Sequence, residues 1–167
     1  MPEVSEDRRD PARAYIGLGA NLGAPRVAIA GAIHALDRLP STRVVRASAL
    51  YRTAPIDAGG DDYINAAAAL DTALEPLELL VALQRIEAAH GRVRAVRNAP
   101  RILDLDLLVY DDRRLSSERL TLPHPRLHER AFVLVPLAEI APGLEVPGLG
   151  SIDHLLPGVA GQRIDKL

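Results

Sequence analysis

Asp104 and Asp106 are the residues whose type and spacing most clearly predict chemistry. They lie in residues 102–110, where apolar and acidic residues alternate as in a β-strand. On such a strand the two carboxylates share one face, and the opposite face carries Leu103, Leu105, Leu107 and Val109. Neighbouring carboxylates repel each other unless a cation lies between them, and Mg²⁺ prefers such oxygen ligands. The pair predicts a magnesium site, and the alternative is two aspartates that simply face water.

The segment before these aspartates is rich in arginine. Residues 90–103 contain no acidic residue and four arginines, which are Arg92, Arg94, Arg97 and Arg101. Guanidinium groups bind phosphate oxygens bidentately, and protein-bound Mg²⁺ is usually held by one or two carboxylates together with substrate phosphates. The cluster therefore predicts nucleotide polyphosphate chemistry. A single arginine would indicate only a solvated charge, because the chain has 19 arginines and one lysine.

Further polar groups could join this site. Gln84 and Glu87 are three residues apart on a predicted helix, where they either face the site or, as we favour from the pair alone, lie on an exposed helix face. A loop after the strand carries a second candidate phosphate-contacting group, which is His124, Arg126, His128 and Arg130. Gly17, Gly19 and Gly23 lack the spacing and the lysine of a phosphate-binding loop, and we assign them to a tight turn.

Composition restricts the class of protein. The chain has 167 residues, 48% of them hydrophobic, no cysteine and a formal net charge of −2. This predicts one globular domain over residues 13–167 behind a mobile tail at 1–12, without disulfides or a membrane span. An acidic chain without an apolar N-terminal run is expected to be cytoplasmic and to bind no nucleic acid.

The order of predicted elements places the candidate residues on one sheet. Strands are expected at 14–19, 42–53, 63–70 and 102–110, the second and third forming a hairpin, and helices at 25–39 and from Pro76 to Gly91. This β-α-β-β-α-β order predicts an α+β, ferredoxin-like antiparallel sheet with both helices on one face. A C-terminal strand at 119–122 and a helix at 131–140, bent or broken near Pro136, are expected to follow.

Several motifs together resemble the 6-hydroxymethyl-7,8-dihydropterin pyrophosphokinase family. They include Tyr-Ile-Gly-Leu-Gly-Ala-Asn-Leu-Gly at 15–23, Asp-Tyr-Ile-Asn-Ala-Ala at 62–67, Pro-Arg-Ile-Leu-Asp-Leu-Asp at 100–106 and Leu-Pro-His at 122–124. The resemblance covers roughly residues 14–160. It implies transfer of pyrophosphate from ATP to the pterin hydroxymethyl group in folate biosynthesis. The protein is expected to be a monomer that takes the pterin and ATP as small-molecule partners.

The resemblance also implies a role for each candidate residue. Asp104 and Asp106 would hold two Mg²⁺ ions along the ATP triphosphate. Phosphates would be contacted by Arg92, Arg101, His124 and Arg130, and the rest of the ATP site would be lined by Gln84, Glu87, Leu107, Arg119 and Thr121. The pterin would stack between Tyr63 and Phe132, and its edges would meet Thr53, Ala54, Ile56 and Asn65.

The chain departs from the family pattern in the arginine-rich segment. Many members carry a tryptophan there, whereas this chain reads Arg-Asn-Ala-Pro-Arg at 97–101. We interpret residues 91–100 as the catalytic lid, which lacks that aromatic ring. Ala54 and Pro125 also replace residues common in the family.

Two other classes of protein remain as alternatives. A ferredoxin-like domain can be a binding module for RNA or a regulatory ligand, although the acidic chain lacks an aromatic RNA-binding strand motif. A metal-dependent phosphohydrolase could use the same aspartates to activate water. A pyrophosphokinase forms AMP only in proportion to added pterin, which distinguishes the three.

Overall fold

The computed structural model describes residues 10–54, 62–90 and 103–167. The strands are β1 (Ala12–Ala20), β2 (Thr42–Ala47), β3 (Tyr51–Thr53), β4 (Tyr63–Thr72), β5 (Asp104–Tyr110), β6 (Leu115–Ser116), β7 (Thr121–Leu122), β8 (Glu145–Val146), β9 (Gly150–Ser151) and β10 (Asp165–Lys166). The α-helices are α1 (Pro25–Asp37), α2 (Pro76–Ala89), α3 (Ala131–Ile140) and α4 (Ile152–Leu155), with 3₁₀ turns at Leu127–Glu129 and Leu156–Val159. Within the described ranges no helix is long and apolar enough to cross a membrane.

The main sheet has six antiparallel strands in the order β10-β3-β4-β1-β5, with β2 also paired to β4. The chain is therefore an α+β protein, as predicted, and the predicted hairpin is confirmed. The expected single strand at 42–53 is two strands, because the chain leaves the ladder after β2 at Ser48. There the Ser48 hydroxyl accepts a hydrogen bond from the backbone N–H of Ala67 at 2.9 Å.

Helices cover both faces of this sheet. Alternate residues of β1 and β4 pack against α1 and α2 in one core, as Ile16, Leu18, Ile64 and Leu70 do. The other face packs against α3 and the C-terminal segments in a second core that includes Leu134 and Leu137. The sheet thus lies between two helical layers, with α1 and α2 on the same side as expected.

A β-bulge in β5 changes which residues face which core. Tyr15 lies opposite Val109 and Ile16 lies opposite Leu107, so Leu108 is an extra residue in the ladder. Val109 consequently joins the second core instead of the first. The prediction that Val109 shares a face with Leu103, Leu105 and Leu107 is wrong, because strict alternation stops at the bulge.

Other elements also differ from the sequence predictions. Gly17 and Gly19 lie within β1 rather than in a tight turn, and only Gly23 of the three has a left-handed φ, of 69°. Helix α3 is not broken but runs continuously through Pro136. The predicted strand at 119–122 is only β7, which pairs with the unpredicted β6. The predicted catalytic lid at 91–100 and most of the predicted tail lie outside the described residues.

Candidate active site

A row of paired residues crosses the sheet on the face opposite α1 and α2. Gly19 of β1 lies directly opposite Asp104 of β5 on one side and Asn65 of β4 on the other. Asn65 in turn lies opposite Tyr51 of β3. The next row joins Ala67, Gly17 and Asp106 in the same way. The two predicted metal-binding carboxylates and the predicted pterin-binding amide therefore share one face, about 10 Å apart across two strand spacings.

Gly17 and Gly19 leave the centre of this face without side chains. A Cβ atom at Gly19 would lie 3.2 Å from Asn65 Oδ1, and one at Gly17 would lie 3.4 Å from the side chain of Leu108. Without these side chains the backbone of β1 forms a shallow floor between Asn65 and Asp104.

Asn65 is held by its neighbour on β3. Its amide Nδ2 donates a hydrogen bond to Thr53 Oγ1 at 2.8 Å, and only 4% of its surface is exposed. Thr53 itself lies opposite Tyr63. The structure thus brings together three of the six residues predicted to bind pterin, beside the exposed Ala54.

The strand that carries the aspartates is fixed along its outer edge. Glu87 of α2 is 5% exposed, and its Oε2 accepts a hydrogen bond from the backbone N–H of Leu105 at 2.9 Å. On the same edge the backbone N–H of His124 donates to the carbonyl of Leu108 at 2.8 Å. The expectation of an exposed face is wrong for Glu87, although Gln84 is exposed. Both aspartates are half-buried.

His124 can donate a hydrogen bond from its ring nitrogen Nε2. Its Nδ1 accepts a hydrogen bond from the backbone N–H of Arg126 at 3.2 Å, so the neutral ring carries its proton on Nε2. Burial lowers the pKa of His124, and the charges of Arg130 and Arg126 lower it further, outweighing the opposite effect of Asp106. His124 is therefore a neutral hydrogen-bond donor at pH 7.

Arg130 and Phe132 contact each other at the start of α3. The guanidinium carbon of Arg130 lies 5.4 Å from the centre of the Phe132 ring, within the range of a cation–π contact. Helix α3 packs on β4 and β3, the strands that carry Asn65 and Thr53.

The remaining predicted ATP residues lie around β5 and the β6–β7 hairpin. Thr121 and His124 line an open cavity of about 350 Å³, together with Pro147, Gly148 and Leu149 of the turn between β8 and β9. Arg119 is exposed, whereas Leu107 is 3% exposed in the core on the α2 side of the sheet. Arg92, Arg101 and Ile56 lie outside the described residues.

Comparison with known proteins decides the family. Residues 15–142 match the model of the 7,8-dihydro-6-hydroxymethylpterin-pyrophosphokinase (HPPK) family. The chain belongs to the HPPK family. The family predicted from the sequence motifs is thus confirmed.

Individual HPPK relatives cover most of the chain. It is 46% identical over 156 residues to the 2-amino-4-hydroxy-6-hydroxymethyldihydropteridine pyrophosphokinase of Pseudomonas aeruginosa, covering 93% of this chain and 96% of that protein. It is 53% identical over 137 residues to the enzyme of the same name from Methylorubrum extorquens, covering 81% and 87%.

The fold is also that of solved HPPK structures. A crystal structure of a Plasmodium falciparum HPPK-DHPS triple mutant aligns with a TM-score of 0.72 at 16% identity and covers 92% of this chain. The chain spans 45% of that longer protein. At this identity the likeness shows the fold alone.

The donor set of this HPPK fits a magnesium ion shared with a substrate. In the described part of the chain no three His, Cys, Asp or Glu side chains group together to form a complete metal site. Two half-buried carboxylates on one strand face supply hard oxygen ligands and leave further positions for phosphates and water, which is the usual arrangement for Mg²⁺.

Tyr51 and Glu139 are functional-site neighbours that sequence reasoning missed. The Tyr51 hydroxyl donates a hydrogen bond to Glu139 Oε1 of α3, and Glu139 Oε2 accepts from the backbone N–H of Ala49 at 3.0 Å. Burial, together with the bond to Glu139, raises the pKa of Tyr51 to about 12. This pair ties α3 to the strand that faces Asn65, and nothing in the local sequence around either residue predicts it.

Asn21 was also missed as a site neighbour. It follows β1 directly, and its Oδ1 is buried without a hydrogen-bond partner among the described residues. It lies two residues beyond Gly19, at the end of the floor.

Proposed function

We propose that the face of the sheet between Asn65 and the Asp104–Asp106 pair is the site of pyrophosphoryl transfer. The reaction itself follows from the family: the enzyme transfers pyrophosphate from ATP to 6-hydroxymethyl-7,8-dihydropterin in folate biosynthesis. The observation that carries the location is the row Asn65–Gly19–Asp104, in which the amide proposed to bind pterin lies two strands from the carboxylates across the glycine floor.

The carboxylate pair is proposed to hold two Mg²⁺ ions on the ATP triphosphate. Asp104 and Asp106 would supply the protein ligands, together with substrate phosphate oxygens and water. Magnesium held there would supply neutralisation of the negative charge that develops during transfer.

The phosphates are proposed to be oriented by groups on both sides of β5. His124 donates from Nε2, Arg130 supplies a guanidinium, and Arg92 and Arg101 contribute from the arginine-rich segment. The nucleoside is proposed to lie near Arg119, Thr121 and the strand position of Leu107, whose side chain is in the core. Gln84 and Glu87 of α2 are proposed to line the rest of the ATP site from the outer edge of β5.

The pterin is proposed to lie over Asn65, with its ring between Tyr63 and Phe132. The bond from Asn65 Nδ2 to Thr53 fixes the amide, so Oδ1 remains to accept from a pterin N–H. Ala54 and Ile56 complete the edge of this pocket. Tyr63 and Phe132 offer flat apolar surfaces to a planar heterocycle.

In this arrangement the two substrates meet across β1. The hydroxymethyl oxygen forms a bond to the β-phosphorus, the bond from that phosphorus to the α-phosphate oxygen breaks, and AMP leaves. The hydroxyl proton passes to solvent, because a loose phosphoryl transition state requires positioning and charge neutralisation more than early proton removal.

The test is AMP formation with and without the pterin. Asp104→Asn and Asp106→Asn keep the size of the side chain and remove its charge, so pterin-dependent AMP should fall by roughly 100-fold or more with an unchanged circular dichroism spectrum. Asp112→Asn, an exposed aspartate just beyond the same strand, is the matched control and should behave as wild type.

Other outcomes of the same assay identify the alternatives. Inorganic phosphate released without pterin would indicate a phosphohydrolase. ATP binding without either product would indicate a binding module. Full activity in both aspartate variants would place the metal elsewhere.

We also propose a finer description of the protein. The order β5-β1-β4-β3, antiparallel throughout, supports classification as ferredoxin-like, with residues 13–167 as the single catalytic domain. We propose a cytoplasmic monomer that binds no nucleic acid. A monomeric mass in light scattering, unchanged on removal of residues 1–9, is the expected result.

A further inference from the structure

The side-chain amide of Gln162 makes hydrogen bonds to the backbone on both sides of Arg130. Its Oε1 accepts a hydrogen bond from the N–H of Ala131 at 2.9 Å, and its Nε2 donates to the carbonyl of Glu129 at 2.8 Å. The side chain therefore fixes the peptide groups on both sides of Arg130. It reaches them from 31 residues away along the sequence, at the C-terminal end of the chain.

The start of α3, which these hydrogen bonds reach, has no N-cap side chain of its own. Arg130 is the N-cap residue of α3, but its side chain makes no capping hydrogen bond, and the first helical N–H belongs to Ala131. In most helices a Ser, Thr, Asp or Asn at the N-cap accepts from the N–H of the second or third helical residue. Here Gln162 instead accepts from the free N–H of the first helical residue.

Gln162 itself is anchored on both sides. Its backbone N–H donates to the carbonyl of Val159 at 3.0 Å, and Val159 is 3% exposed in the second core. Three residues after Gln162, β10 pairs with β3, so that Asp165 lies opposite Arg52 and Lys166 opposite Tyr51. The C-terminal segment thus joins the strand of Thr53 to the helix end of Phe132.

We propose that Gln162 is a positioning residue that sets Arg130 and Phe132 for the two substrates. Arg130 and Phe132 are two residues apart at the start of α3, and their side chains contact each other. Rotation of the backbone at Arg130 would move the guanidinium and the ring together. This inference rests on the proposed roles of Arg130 at the phosphates and Phe132 at the pterin.

Two variants of Gln162 distinguish the hydrogen bond to Ala131 from the hydrogen bond to Glu129. Gln162→Ala removes both hydrogen bonds, and Gln162→Glu keeps the acceptor for Ala131 but replaces the donor to Glu129 with an oxygen. Gln162→Ala should lower kcat/KM for pterin and for ATP by roughly 10-fold, and Gln162→Glu should lower it as well, because its second carboxylate oxygen repels the carbonyl oxygen of Glu129. The matched control is Arg163→Ala, which removes an exposed side chain of the same segment and should leave kinetics unchanged.

The single phenylalanine of the chain gives a direct readout of position. Phe132 is the only phenylalanine in the sequence, so protein labelled with 4-fluorophenylalanine has one ¹⁹F resonance. Gln162→Ala should shift or broaden this resonance in the free enzyme, and Arg163→Ala should not. The melting temperature, measured in parallel, records any purely structural effect.

Each result decides between positioning and structure. An altered resonance with raised KM values supports the inference. A lower melting temperature with unchanged resonance and unchanged KM values overturns it, as does wild-type behaviour of Gln162→Ala when Arg130→Ala is strongly impaired. If Arg130→Ala and Phe132→Leu both keep wild-type kinetics, their proposed roles are wrong, and the fluorine resonance alone then decides whether Gln162 positions the segment.

Discussion

Glu87 Oε2 lies 2.9 Å from the backbone nitrogen of Leu105, the residue between Asp104 and Asp106. A helix side chain thus takes the place of a neighbouring strand at the outer edge of β5. Edge strands expose unpaired N–H groups, and here the buried carboxylate satisfies one of them at the point where the strand carries its two aspartates.

Removal of this acceptor should destabilise the protein. Glu87→Ala leaves the buried N–H of Leu105 without its partner, and we expect the free energy of unfolding to fall by about 1–3 kcal/mol. Glu87→Gln keeps an oxygen acceptor and should lose less. Urea denaturation measures both, with Arg85→Ala on the exposed side of α2 as control; equal stability of all three variants would contradict the structural role of Glu87.

The glycine floor predicts a difference between two similar substitutions. Gly19→Ala places a methyl group 3.2 Å from Asn65 Oδ1, which must shift, whereas Gly17→Ala makes only ordinary contact with Leu108. We therefore expect Gly19→Ala to raise KM for the pterin by roughly 10-fold or more and Gly17→Ala to change it little. Steady-state kinetics at saturating ATP measure both, and the reverse ranking would show that the floor does not bind pterin.

The hydrogen bond between Tyr51 and Glu139 should make stability depend on pH at both extremes. Partial burial raises the pKa of Glu139, but the bonds from Tyr51 and Ala49 outweigh it, so its pKa is lowered. This stabilisation is present above pH 4.5 and is lost as pH falls through the folded pKa. The raised pKa of Tyr51 stabilises the fold below pH 10, and that effect is lost as pH rises toward about 12.

Tyr51→Phe tests this pair because it removes only the hydroxyl. We expect the variant to lose about 1 kcal/mol of unfolding free energy at pH 7, a modest value because Glu139 is partly exposed. The difference from wild type should shrink below pH 4.5 and above pH 10. A difference that stays constant between pH 3 and pH 11 would assign the loss to packing.

The tautomer of His124 predicts which replacement retains activity. Gln can place an amide N–H near the position of Nε2, while Asn can replace only the Nδ1 acceptor that Arg126 uses. We expect His124→Gln to keep several-fold higher kcat/KM for ATP than His124→Asn. Kinetics at pH 7 and 8 should give the same order, since the ring is neutral at both.

The sequence predicted the elements whose pattern is regular. Strand β5 and helix α2 follow clear periods of two and 3.6 residues. Of the residues at helical spacing in α2, Leu79, Leu83 and Ile86 are buried and Leu80 is half-buried. The two aspartates were correctly placed on one face because the bulge comes after them, at Leu108.

Alanine-rich and long-range features could not be predicted in this way. In α1 the apolar Val27 is 70% exposed, while Ala28, Ile29 and Ala32 are buried. A helix with four alanines among its 13 residues offers several similar faces, and packing on the sheet selects one. The partners of Glu139 and Gln162 lie dozens of residues away, beyond the range of any local pattern.

The bulge at Leu108 and the strand pairing of Gly19 limit how the acceptor specificity of this enzyme can be changed. Main-chain hydrogen bonds between β4, β1 and β5 set the separation between Asn65 and Asp104. Substitution of side chains therefore cannot lengthen this distance. Acceptance of a longer or shorter alcohol would have to come from changes around Arg130 and Phe132, whose position depends on the C-terminal segment. Directed evolution for new acceptors should therefore concentrate its changes at the start of α3 and in the C-terminal segment and leave β1 and β5 untouched.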